Sequence, residues 1–348
     1  MSFITQQVAA REKEFFAKQL AIMLESGLPL SRAIDVVFRQ TRDKYFKRVL
    51  GSVAKSLQNG RQLSRTLSDF PHVFSPDFIA VLRAGEQTGK LDLAFYDLGK
   101  KLEADNTFRA GVLGAVLYPL LIVFAIFAVS TYMVIAVVPN LVVVFEQNEI
   151  SLPFLTRAMI AIVTFANNYW WLIIVFLLVL VLSLRYYSKT KSGKLLLSYA
   201  QIKVPLAKDL YEAIYVSSFA HTLSMLVRHG VPIIEAMRVT KGAMRNVLYR
   251  VAADEMMNDI EKGIPLSKPI MDNKIFPPLL GQMVLVGEQT GKLDEALESV
   301  ATNYHNRANQ IIKYLSSLIE PVLLIFVGVI VALVVFAILL PIYQVAQL

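Results

Sequence analysis

The chain has 348 residues, room for two or three domains, and is 55% hydrophobic against 18% charged, with a mean hydropathy of +0.51. Such apolarity points to membrane spans. Cysteine is absent, which excludes disulfides, thiolate metal sites and a cysteine nucleophile. The formal charge of +8 is informative through its distribution more than its sum.

The N-terminus, "MSFITQQVAAREKEFF", holds no apolar run that could act as a cleaved signal. Beyond it, Phe16, Leu20, Met23 and Leu24 fall on one stripe of an amphipathic helix. Gly27 then Pro29 stop that helix and start another. A further helix is expected from near Asp43 to the Asn59–Gly60 break, and the prolines between Phe70 and Pro76 mark the next joint. About six short helices fill residues 1–111, joined by connections that suit an antiparallel bundle. The last starts near Lys90 and meets no breaker before an uncharged run, residues 112–138. As a helix that run would reach roughly 40 Å, more than the hydrocarbon core requires.

A loop is expected over 139–166, with an interfacial apolar stretch between Ala158 and Ala166. A second span, 167–187, centres on "WWLIIVFLLVLVLSL" and has asparagine and tyrosine at its ends. A second helical bundle, 188–317, is followed by a third span, 318–343, and a tail, 344–348. Residues 1–111 and 185–317 carry 17 Lys and Arg each, and residues 139–169 carry only Arg157. Basic loops stay in the cytoplasm, so both bundles and the N-terminus are expected there. The 139–166 loop and the C-terminus are expected on the periplasmic side.

The two bundles are copies. "FFAKQLAIMLESGLPLSRAI" from Phe15 aligns with "SFAHTLSMLVRHGVPIIEAM" from Ser218 at an offset of 203, and "NGRQLS" aligns with "KGIPLS". After one deletion the offset is 202, and the octapeptide "GEQTGKLD" at Gly85–Asp92 recurs at Gly287–Asp294. The register continues through Pro119 and Pro321 to Pro139 and Pro341, all expected to bend or terminate their helices. One return span between two like-oriented copies accounts for three spans.

A glycine-bracketed stretch with Gly-Lys suggests a phosphate loop. The glycines are one residue too close, leucine stands where the hydroxyl belongs, and a helix precedes it. A structural joint is the stronger reading. Gly27, Pro29, Gly85, Gly89 and their copies Gly230, Pro232, Gly287 and Gly291 are assigned to turns, and Glu86 is expected to cap or pair nearby. Glu86, Asp92, Glu288 and Asp294 are weak candidates for a divalent cation, two carboxylates per joint being a thin supply. His221 and His229 are read as a half-exposed helix face. No catalytic constellation, cofactor or nucleic-acid partner is expected. Glu320, beside Pro321 at the start of the third span, is the ionisable residue that could pair with a partner's membrane helix.

"AKQLAIMLESGLPLSRAI", "AGEQTGKL" with "VGEQTGKL", and the closing "EPVLLIF" and "LLPIY" resemble the type II secretion protein F family over nearly the whole chain. The resemblance implies an inner-membrane, multi-pass, non-enzymatic platform protein of type II secretion or type IV pilus machines. The partners it implies are a hexameric assembly ATPase, pilin or pseudopilin, other inner-membrane assembly components and membrane lipid. Repeated bundles also invite a homo-oligomer. The chain starts without the N-terminal extension of many members, which favours a pilus system, and the calcium ligands of some members have no residue-by-residue match. A small transporter or channel component is the alternative; three nearly chargeless spans argue against it.

Overall fold

The computed structural model describes residues 2–132 and 190–346, with positions 161, 165, 169, 171, 172, 175, 176, 178–180, 182, 183 and 185–188 between them. Among the described residues every regular element is helical. Two compact units result: Met1–Ala110 with Lys194–Ile311, and Gly111–Gly193 with Ile312–Leu348.

The first unit holds the two repeats. Repeat one comprises α1 (Ser2–Glu25), α2 (Leu30–Gln40), α3 (Lys44–Gln58), α4 (Leu63–Leu67), α5 (Pro76–Thr88) and the start of α6 (Leu91–Tyr132). After α7 (Lys191–Lys203), repeat two follows with α8 (Pro205–Arg228), α9 (Ile233–Ala243), α10 (Val247–Glu261), α11 (Ser267–Asp272), α12 (Pro278–Thr290) and the start of α13 (Leu293–Ala346). Thus α1–α6 correspond to α8–α13. Not all are short: α1 and α8 have 24 residues each.

Local chemistry sets the same boundaries twice. Asp43 accepts the Phe46 amide at 2.6 Å and caps α3, and the aligned Asn246 caps α10 by accepting the Leu248 amide at 2.8 Å. Gly27 and Gly230 have φ of +80° and +78° just past α1 and α8. Pro29 and Pro232 stand immediately before α2 and α9.

The cores are duplicated too. In repeat one Phe16 packs against Phe46 and Phe95 edge-on, with centroids 5.8 and 5.7 Å apart, and Phe74 closes the group at 5.9 Å. The aligned set in repeat two is Phe219, Tyr249, Leu297 and Phe276, with Phe276 4.9 Å from Phe219 and 5.2 Å from Tyr249. All eight are buried, each contributing about 1.5–3 kcal/mol of hydrophobic stabilisation. Burial pushes the Tyr249 phenol well above its ordinary range.

In the second unit the apolar stretches of α6 and α13 have mean hydropathies of 2.0 and 1.8, and none of either window is buried within the protein. Leu113, Leu117, Leu121 and Phe124 on α6, and Val322, Ile325, Phe326 and Val329 on α13, are exposed. Apolar surface of this extent and length needs lipid rather than water around it. These two helices are long and apolar enough to cross a membrane.

Pro119, Pro321 and Pro341 lie inside helices. The sequence-based expectation that they could terminate their helices does not hold, because a proline leaves only one carbonyl without its donor and the surrounding turns continue. The predicted 139–166 loop with its interfacial stretch, Pro139 and most of the predicted second span lie outside the described residues. The positions described within that span are helical.

Candidate functional site

Both copies of the octapeptide form the same joint. Gly89 ends α5 in the left-handed region with φ +71°, and Gly291 ends α12 with φ +70°. The following lysine amide returns to the first glycine's carbonyl, Lys90 to Gly85 at 2.8 Å and Lys292 to Gly287 at 2.9 Å. Gly85 and Gly287 serve close approach instead. A Cβ on Gly85 would lie 2.6 Å from the Ala94 Cβ, and one on Gly287 would lie 2.9 Å from the Ala296 Cβ. The loop amides turn back on their own helix, which leaves no cradle for a phosphate.

The glutamate between the glycines reaches to a different element. Glu86 accepts the Leu63 amide at 2.7 Å through Oε1, and the Ser64 amide and hydroxyl at 3.2 and 2.6 Å through Oε2. Glu288 does the same with the Leu266 amide at 2.6 Å and the Ser267 amide and hydroxyl at 3.3 and 2.5 Å. Each carboxylate therefore caps the N-terminus of a short helix, α4 in repeat one and α11 in repeat two, where orphan amides and the helix dipole favour an anion. The partners are the "LS" of "NGRQLS" and "KGIPLS", so the repeat's two short motifs are halves of one contact. With both oxygens occupied, Glu86 and Glu288 have little left for a cation. Asp294 faces the Arg228 guanidinium at 3.5 Å. Among the described residues no three His, Asp or Glu converge as metal ligands would.

A second cluster joins the repeats. Helix α5 packs against α8 and α9. Asp97 on α6 is buried and receives His229 Nε2 at 3.2 Å and Arg228 Nη1 at 3.3 Å. One turn along, Lys101 pairs with Asp77 of α5 and donates to the Thr222 hydroxyl at 3.2 Å. Burial opposes the charged form of Asp77, but the Lys101 ammonium and its hydrogen bond outweigh it and hold the carboxyl at about 2. Beside these pairs lies a cavity of about 510 Å³ lined by Ile79 and Ala84 of α5 and by Val231 and Pro232, which lead into α9.

The reading of His229 needs correction. His229 is buried because the first repeat covers it, a surface that α8's own periodicity cannot reveal. His221 is partly buried and pairs with Glu298 at 3.0 Å. Glu320 is exposed on α13 and stands apart from both clusters in sequence.

The sequence model described as type II secretion system, protein F, matches residues 16–139 and again 219–341. The two matches are the two repeats, beginning 203 residues apart and ending 202 apart. The chain belongs to the type II secretion system protein F family. A type IV pilus assembly protein PilC of Thermus thermophilus is 31% identical over 337 residues, covering 96% of this chain and 82% of that one. A type II secretion system protein F of Pseudomonas aeruginosa is 29% identical over 341 residues, covering 98% and 84%. One of Vibrio cholerae is 27% identical over the same length. Membership of this secretion and pilus family indicates no catalytic chemistry, in keeping with polar clusters whose groups are engaged in holding helices together.

Proposed function

We infer that this chain is the inner-membrane platform of a type IV pilus or type II secretion machine. Its bundles contact a hexameric assembly ATPase in the cytoplasm, and its membrane helices engage pilin or pseudopilin together with lipid and other inner-membrane components. The observation that carries this reading is the double family match combined with helix continuity. Each repeat's last helix, α6 or α13, runs from its bundle into an apolar segment with no loop between. A displacement of either bundle then travels along a helix, so that pilin is lifted from the bilayer as the ATPase cycles.

The topology belongs to the same proposal: a return span at 167–187, the N-terminus and both bundles cytoplasmic, the C-terminus periplasmic. The distribution of Lys and Arg supports it. Glu320 takes the role of a pairing site for a partner's membrane helix, and copies of the chain associate with one another. Deleting the protein tests the reading. Filaments or secretion are lost while pilin accumulates in the membrane, and the tagged protein co-purifies with the ATPase without turnover of its own. Filaments that still assemble in the deletion strain defeat it.

A further inference from the structure

The seam between the repeats is one-sided. In it the α5–α6 face of repeat one meets the α8–α9 face of repeat two through Asp77, Asp97 and Lys101 on one side and Thr222, Arg228 and His229 on the other. Duplication supplies both faces twice, so the chain also carries an α1–α2 face and an α12–α13 face. Aligned positions show that this second pair stays open. Met225, on α8 between the seam residues Thr222 and His229, is 0% exposed, whereas Ile22, its equivalent on α1, is 57% exposed. Ala84 is 6% exposed, and its equivalent on α12, Val286, 51%. His229 and Asp97 are buried, and their equivalents Ser26 and Ser299 are exposed.

The chemistry changes in step. The open α12 face replaces the ionic Asp77 and Arg83 with Leu279 and Leu285, both exposed like Val286. An apolar strip of this kind marks a contact surface. We propose that the α12–α13 face of one copy of this chain docks on the α1–α2 face of another copy, in the manner that α5–α6 docks on α8–α9 within one chain.

Two observations commit these faces to a second copy. Each is the duplicate of a face whose fitting partner belongs to this same chain. Charge also keeps the two kinds of seam apart, because α1 has Glu25 where α8 has Arg228. An α1–α2 face intruding on the internal seam would set Glu25 against the buried Asp97. On the proposed seam the position equivalent to Asp97 is the neutral Ser299, and the flanking Glu295 and Glu298 are already paired with Lys292 and His221. Like-charge juxtaposition is how interfaces reject a wrong partner. The contact is heterologous, joining different surfaces of the two copies. Within the reading above, the inference rests on self-association alone and not on ATPase coupling.

The absence of native cysteine gives a clean test. Two differently tagged full-length copies, one carrying Ser26→Cys and the other Ser299→Cys, are expressed together and treated in membranes with a short bis-maleimide. The expected product is a covalent dimer bearing both tags, about tenfold above either variant alone and above a control with Ser52→Cys on α3 in place of Ser299→Cys. Adding Val286→Asp to the second copy lowers the yield about tenfold. No dual-tag product, equal yield from the control, or indifference to Val286→Asp overturns the proposal. If cross-linking fails while filaments still require the protein, the seam is wrong and the platform reading stands. If cross-linking succeeds without any filament defect in the deletion strain, the reverse holds.

Discussion

Glu86 and Ser64, 22 residues apart in sequence, meet at 2.6 Å through carboxylate and hydroxyl, and Glu288 and Ser267 repeat the contact at 2.5 Å. A glutamate at the end of one helix thus fixes where another helix begins. Removing it with Glu86→Ala leaves two amides and a hydroxyl without a partner, at a cost of about 2–3 kcal/mol. Glu86→Gln keeps the shape and one acceptor and costs less. Hydrogen exchange of the solubilised full chain checks this: the Leu63 and Ser64 amides lose protection in Glu86→Ala, and Leu266 and Ser267 lose it only in Glu288→Ala.

The two glycines of each joint separate by substitution. Gly85→Ala forces a methyl against Ala94 and is expected to cost about 1–3 kcal/mol by overpacking. Gly89→Ala meets nothing within 4 Å but places a Cβ in left-handed backbone, at about 1–2 kcal/mol. An Ala94→Gly second change rescues the first in part, the Lys90 carbonyl 3.1 Å from the new Cβ remaining, and leaves the second unaltered, as read from thermal unfolding by circular dichroism.

Acid acts on the internal seam through Asp77. Its folded value of about 2 lies below the ordinary 3.8, so the stabilisation is present above pH 4 and is lost as pH falls towards 2. The difference corresponds to about 2 kcal/mol. In Asp77→Asn that segment of the pH–stability curve flattens.

Lys101→Met is the harsher change, since it strands a buried carboxylate. A loss of about 3–5 kcal/mol is expected. The double variant Asp77→Leu with Lys101→Met recovers much of it, because Leu is what repeat two carries at the aligned position. Limited proteolysis of the full chain, compared between single and double variants, reports the recovery.

Charge on α3 and α10 differs although the helices are equivalent. Helix α3 bears Lys44, Lys47, Arg48 and Lys55 without an acid, whereas α10 bears Asp254, Glu255, Asp259 and Glu261 against a single Arg250. If the bundles grip the ATPase through charge, reversing the exposed Lys44, Arg48 and Lys55 to Glu lowers co-purification of the ATPase several-fold while helicity by circular dichroism is unchanged. Undiminished co-purification, also after reversal on α10, would sink that part of the reading.

Helix ends were the most legible part of the fold. Asp43, the Asn59–Gly60 break and the glycine turns of the two octapeptides each act within five residues of chain, a range over which sequence and backbone geometry are tightly linked. The contact of Glu86 with Ser64 was not legible, although both motifs stood out in the repeat alignment, because alignment shows what recurs and not what touches. The buried pair of Asp97 and His229 was missed for a related reason. Its cover comes from the other repeat, so α8 alone reads as half-exposed. A signal was available in the mismatches, since His229 aligns with Ser26, Asp97 with Ser299 and Asp77 with Leu279. Where duplicated modules diverge from neutral to ionic at matched positions, one copy has a neighbour that the other lacks.

Pro119 in α6 and Pro321 in α13 occupy the same register. Neither has an amide hydrogen to offer the carbonyl four residues back, Ala115 in one helix and Ser317 in the other. Each long helix therefore has, at this shared position, a turn that yields to bending more readily than its neighbours, and α13 has a second at Pro341. A load carried along either helix would meet a flexure at this same register.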